Sequence, residues 1–289
     1  MDEPTVTTLL CDLNEHALIR VSGADAREFL QGQLSNDATQ VSPTQSQWSS
    51  LNTPQGRTLA LMRLFELEGE LMLALPSALQ APVIGRLRKY ILRSQVTLEP
   101  ANDLMVRCGI AGESAAAVLQ AVGITPPASV DAATVAEGTT IIQVNSTTGS
   151  RFELYGSGEK ALALRKVLAE HCEQADANQW LLFDTLAGVP HLEPVTSGEF
   201  LPQMLNLDQL GAINFKKGCY AGQEIIARTH YRGQVKRRLK LIFDGDSAAP
   251  GQSVTFADGF SATVVQCAPH PDGGFALLAV APVETMEKT

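Results

Sequence analysis

The chain has 289 residues, 45% of them hydrophobic and 18% charged, with a net charge of −9. That length and composition fit a folded protein with a sizeable core and exclude a disordered chain. The acidic balance argues against broad, nonspecific nucleic-acid binding, the apolar runs fall short of a bilayer span, and the acidic start "MDEPTVTTLLCDLNEHAL" lacks the basic region of a signal peptide.

The elements follow in chain order. "HALIRVSGADAREFLQGQLSND" predicts strand, turn and helix, with His16 to Val21 alternating, Asp25 as cap, and Phe29, Leu30 and Leu34 on one helical face. "WSSLNTPQGRTLALMRLFELEGELMLALP" predicts strands with a tight turn at Gly69. Val83, Leu87, Tyr90 and Ile91 stand at helical spacing. "LMVRCGIAGESAAAVLQAVG" predicts a strand and a short helix stopped by Gly123. Residues 124–140, rich in Pro and Thr, predict a loop. "IIQVNSTTGSRFELYG" predicts a strand pair and "GEKALALRKVLAEHC" an amphipathic helix. In "DANQWLLFDTLAGVP", Asp176 followed by Gln179 has the capping-box pattern, and Gly188 and Pro190 end the helix.

After Lys236 the texture changes to short strands separated by Gly, Pro and Asp turns, which predicts a small closed or nearly closed β unit. The expected organisation is α+β, with antiparallel sheets and packed helices over residues 1–236 and a β-barrel-like unit over 237–289.

The cysteines are Cys11, Cys108, Cys172, Cys219 and Cys267, scattered and without a CxxC, so a reducing cytoplasm is expected rather than a disulfide framework. The histidines are equally scattered, and their spacing predicts no metal site. No GxGxxG, Walker or GxSxG pattern is present.

The informative stretch is "FKKGCYAGQEIIARTHYRG", Phe215 to Gly233. Ile225, Ile226 and Thr229 predict a short buried helical face, and Gly218 allows a tight turn before it. Cys219 then falls at or beside the helix N-terminus. Free N–H groups there, the helix dipole, and Lys216 and Lys217 favour a thiolate. Glu224 falls in the first turn, where a carboxylate is favoured. The competing reading is a small buried thiol, the usual fate of a free cysteine. The other four cysteines are assigned to structure. His230 is too far along a straight helix to serve Cys219 as a base. Lys216, Lys217, Arg228, Arg232, Lys236, Arg237, Arg238 and Lys240 crowd one stretch, giving either a local positive patch or a solvated strand edge.

"KKGCYAGQE" resembles the K-G-C-Y-x-G-Q-E signature of the YgfZ family of folate-binding proteins. The resemblance extends through "SGEFLPQMLNLDQLGAINF" and "IIARTHYRGQVKRRL". "VSGADAREFLQGQLSND" is similar to the opening of the wider aminomethyltransferase (glycine-cleavage T-protein) superfamily. The resemblance implies a tetrahydrofolate-binding fold with a C-terminal β-barrel, and a role in maintaining iron–sulfur enzymes, including those that modify tRNA. It matches the motif to Lys217, Gly218, Cys219, Tyr220, Gly222, Gln223 and Glu224, with Cys219 as the working thiol. It also matches Trp180 to an aromatic placed against folate, a role suited to a flat pterin. The helix-core reading of Trp180 stands beside it. Where the family has a further aromatic, this chain has His16. The implied partners are folate and iron–sulfur client enzymes, with an indirect link to tRNA and no tight direct nucleic-acid binding. The alternative is a folate-dependent aminomethyl or one-carbon transferase, with Glu153 or Asp184 as its carboxylate. Against it, the T-protein's longer Gly- and acid-rich stretch is replaced here by "NSTTGSRFELYG", and the cysteine motif is absent from T-proteins.

Overall fold

A computed structural model of the chain describes residues 8–102, 105–255 and 259–284. Two antiparallel-dominated sheets form its centre. The first joins β2 (His16–Ser22), β3 (Gln47–Asn52), β4 (Thr58–Leu67), β5 (Glu70–Pro76) and β6 (Thr97–Pro100), in the order β3-β4-β5-β2-β6. The second joins β1 (Leu9–Asp12), β7 (Met105–Gly112), β8 (Ala133–Ala136), β9 (Thr139–Val144), β10 (Ser150–Ser157) and β11 (Glu173–Ala175), in the order β11-β1-β7-β10-β9-β8. The β1–β11 pair is parallel, and the other pairs of both sheets are antiparallel.

The core explains the strand patterns. Ile19, Val21, Leu64 and Leu73 pack beneath α1 (Ala26–Gln33) and α2 (Gln80–Arg88). Leu18, Phe65, Met72 and Ala74 point the other way, into a cluster with Ala111, Ile142, Tyr155 and Trp180 of the second sheet and its neighbours. Cys108, Ile110, Phe152 and Leu154 face α3 (Ala115–Ala121) and α4 (Gly158–Ala169). The result is a helix–sheet–sheet–helix stack, with each strand's alternate residues serving different layers. His16–Val21 therefore lacks an apolar–polar alternation, because both of its faces are covered.

A second group of strands, β12 (Arg237–Asp244), β13 (Ser253–Thr255), β14 (Ser261–Pro269) and β15 (Phe275–Pro282), forms an antiparallel sheet in the order β12-β15-β14-β13. Leu239, Val265, Leu278 and Val280 of this sheet join the main core. Ala268 and Ala276 pack on Leu182 of α5 (Ala177–Leu186).

Three local expectations differ from the structure. Residues 124–140 are not all loop: β8 pairs with β9 across a turn at Glu137 and Gly138, φ +50° and +67°. The β4–β5 hairpin turns on the same dipeptide, Glu68 and Gly69, φ +53° and +82°, the positive-φ pair that a two-residue hairpin requires. Tyr90 and Ile91 lie beyond the end of α2 at Arg88, and Tyr90 is exposed. Asp25 occupies the N-cap position of α1, but its carboxylate accepts the Gln95 amide at 2.7 Å instead of capping the helix. Asp176 does cap α5, accepting from the Gln179 amide at 3.0 Å. Among the described residues, no helix is long and apolar enough to cross a membrane.

Candidate functional site

The motif segment lies against α1 and the β3–β4 turn. Its helix, α6 (Gln223–Arg232), begins later than Gly218 implies, because the N-cap is Gly222 at φ +82°. A side chain at Gly222 would collide with the Thr53 carbonyl and with Gly56, so the glycine permits the close approach as well as the left-handed turn. Cys219 therefore sits in the irregular segment ahead of the helix rather than at its N-terminus.

The anchors of this segment point inward. Lys217 Nζ donates to the carbonyls of Gln31 (2.6 Å), Leu34 (2.7 Å) and Asn36 (2.9 Å), at and just beyond the C-terminus of α1. Unsatisfied helix-end carbonyls favour a cation there. Burial pulls the Lys217 ammonium down to about 8, with Asp37 opposing it. The Tyr220 ring is buried in the main core, and its amide donates to Gln223 Oε1 at 3.2 Å. Ile226 is fully buried, whereas Ile225 is 37% exposed. Gln203 Nε2 holds the Ile226 carbonyl at 2.7 Å. His230 folds onto Phe215, ring centroids 3.7 Å apart. Between these anchors Gly218 and Cys219 are exposed, as is Glu224 in the first helical turn.

The five thiols thus differ. Cys11 and Cys108 are buried, and burial pushes both up to about 12. Cys172 and Cys267 are half-buried, and Cys219 is exposed. The basic stretch is divided as well. Arg238 pairs with Asp208 at 2.9 Å, Arg237 donates to the Val280 carbonyl, and Lys240 lies over Phe260. Lys216, Arg228, Arg232 and Lys236 remain exposed beside and along α6.

The other two sequence-derived positions meet elsewhere. His16 and Trp180 both line a cavity of about 340 Å³, with Leu13, Leu181, His191 and Leu192. Asp12, Glu15 and Glu193 stand around it, and Asp12 is also clasped by Arg165. Cys219 and its motif neighbours do not line this cavity. Trp180 offers it little surface, being 2% exposed. Its ring lies against Gly109, where any side chain would strike it, and the Arg151 guanidinium sits 4.2 Å from the ring centroid.

Behind the cavity runs a buried ionic layer between the two central sheets. Arg151 Nη2 donates to Asp184 Oδ1 at 2.7 Å, and His191 Nε2 lies 2.9 Å from Asp184 Oδ2. Burial alone would raise the Asp184 carboxyl, but Arg151 and the His191 hydrogen bond outweigh it and hold the group below the usual carboxylate range. His16 faces His191 with centroids 5.2 Å apart. Burial first, then His191, pull His16 down to about 3. Glu153 pairs with Arg63 at 2.9 Å and accepts from the Tyr155 hydroxyl at 3.1 Å. Gln266 of β14 accepts the His191 amide at 2.7 Å, so the C-terminal sheet helps to fix this layer.

Sequence reasoning missed His191, Arg151 and Gln266 as members of this site. Periodicity gives no sign of a buried arginine. The one available signal is the brief "VPH" that follows the end of α5 and turns His191 back toward Asp184.

No protein-family model matches the chain. The "tRNA-modifying protein YgfZ" of Escherichia coli O157:H7 is 34% identical over 241 residues, covering 83% of this chain and 73% of the relative. That of Klebsiella pneumoniae is 33% identical over 243 residues, with the same two coverages. Among solved structures, the glycine cleavage system aminomethyltransferase T from Bartonella henselae superposes with a TM-score of 0.77 at 20% identity, covering 96% of this chain and 79% of that one. The fold is therefore aminomethyltransferase-like, and the chain belongs to the YgfZ family.

Proposed function

We propose that the chain is a reduced-folate-binding accessory protein of the cytoplasm. In this reading it supports tRNA modification by maintaining iron–sulfur client enzymes, and Cys219 is its working thiol. One observation carries the reading: Cys219 is exposed while Lys217, Tyr220, Gly222 and Gln223 around it are turned inward to fix the backbone. A structural cysteine does not require its neighbours to be anchored so that its thiol is left facing solvent. The likeness to proteins named for tRNA modification and the aminomethyltransferase-like fold support the rest. The cavity beside His16 and Trp180 has a volume suited to part of a folate, and its acidic residues match the amino and ring N–H donors of a pterin. With a net charge of −9, contact with tRNA is through the client enzymes.

Aminomethyl transfer is the second reading, on the strength of the fold alone. It needs a free carboxylate facing the folate. The two candidates, Glu153 and Asp184, are each tied to an arginine and do not line the cavity; Glu15 and Glu193, which do, would have to serve instead. Titration with tetrahydrofolate tests the placement: quenching of Trp180 emission is expected, with Trp48 as the internal control. Equal binding and quenching by Trp180→Phe would put the ligand elsewhere. Cys219→Ser should keep folate affinity and lose support of client enzymes; turnover with a one-carbon donor would favour the transferase instead.

A further inference from the structure

We propose that His16 and His191, which line the cavity, and Asp184 behind them bind a divalent transition-metal ion. Their imidazole nitrogens and carboxylate oxygen lie within 4.8 Å of one another, although the residues come from β2, α5 and the segment after it. Ligands about 2.1 Å from a shared tetrahedral ion stand roughly 3.4 Å apart. The Asp184–His191 contact of 2.9 Å is a hydrogen bond that would open by about 0.5 Å to admit the ion, and His16 lies within 4.8 Å of both.

Two further observations point the same way. His16 is 8% exposed and lines the cavity, yet its ring makes no hydrogen bond among the described residues. Its ring nitrogens are not sealed away in the interior but stand at the cavity, where an imidazole lone pair can accept an ion. The ligands are also held from behind. Arg151 occupies Asp184 Oδ1, Gln266 fixes the His191 backbone, and Arg107 donates to the His16 carbonyl; the ion would replace the present contact between Asp184 Oδ2 and His191 Nε2, releasing its proton. Such outer contacts orient ligands in established metal sites. The donor set of two imidazoles and one carboxylate suits Zn²⁺, Fe²⁺ or Co²⁺ rather than Mg²⁺ or Ca²⁺. A remaining coordination position would open on the cavity for water or a bound ligand. Arg151 shares the charge of the carboxylate, which limits affinity. The proposal depends neither on Cys219 nor on folate.

The test uses the full-length protein after chelation, in a Cys219→Ser background so that the exposed thiol does not compete. Calorimetric titration with Zn²⁺ should give one equivalent, weakened at least tenfold by His191→Gln and by His16→Gln. Titration with Co²⁺ should give visible d–d bands without thiolate charge-transfer absorption. A third measurement needs no site variant: Zn²⁺ should protect His16 and His191, but not His171 or His270, from diethylpyrocarbonate. Absence of stoichiometric binding, thiolate bands, equal affinity in both folded variants, or unprotected His16 and His191 would overturn the proposal.

Discussion

Lys217→Met removes the ammonium that joins the motif segment to the end of α1 while keeping much of the side-chain bulk. Three carbonyls, at 2.6, 2.7 and 2.9 Å, lose their donor. A hydrogen bond to a charged group contributes about 1.5–3 kcal/mol, and an orphaned buried acceptor costs about 1–3 kcal/mol. Removing the charge also removes its desolvation penalty, and the site is only partly buried. The expected net loss is about 2–4 kcal/mol, less than the sum of three bonds. Urea unfolding of parent and variant measures it, with a lowered midpoint at constant slope. The pH dependence has a defined sign. The folded Lys217 titrates at about 8, below the ordinary 10.5, so the unfolded chain binds more protons between those values. The parent's advantage over Lys217→Met should therefore grow as pH rises from 8 toward 10.5. A loss under about 0.5 kcal/mol would refute the anchoring role. An advantage that shrinks over that pH window would refute the burial argument.

Gly109→Ala should cost about 1–3 kcal/mol by overpacking, because the new methyl meets the Trp180 ring; an unchanged melting temperature and Trp180 emission would contradict the packing described. Arg63→Met should cost about 3–5 kcal/mol, since Glu153 is left buried without its cation, and chemical denaturation measures the loss. Cys219 should be alkylated at least tenfold faster than Cys108 near pH 7, followed peptide by peptide; comparable rates would contradict its exposure.

The fold was legible wherever one element carried its own signal. Asp176 and Gln179 announced the start of α5, and Gly69 announced the β4–β5 turn. The failure at β8 is instructive because the signal was present. Glu137–Gly138 is the same dipeptide as Glu68–Gly69, in the same positive-φ pair. Pro126, Pro127 and the threonines around the second copy outweighed it, and Ala133–Ala136 is a short edge strand with little apolar pattern. The ionic layer was out of reach for a different reason. His16 meets Asp184 and His191 only because the two sheets and α5 converge. Arg63 and Arg151, read in isolation, belong on a surface.

The cysteine motif was legible as a unit, and the structure adds a second target for its lysine charge. The sequence placed two lysines and a helix start next to a thiol, and the natural inference was a thiolate held by positive charge. In the structure Gly222 delays the helix, and the Lys217 charge is directed at α1. Of the two lysines only Lys216 remains exposed. The invested chemistry is therefore anchorage: an ammonium on three carbonyls, a buried tyrosine and a glycine pressed against the β3–β4 turn. This changes what Lys217→Met should do to Cys219. Electrostatic activation requires slower alkylation in the variant at every pH below the thiol's own titration. Anchorage requires the rate to hold or rise, because the segment loosens while its exposure persists. The same variant that reports on stability thus decides between the two roles, and a slowed Cys219 in a still-folded Lys217→Met protein would restore the electrostatic reading.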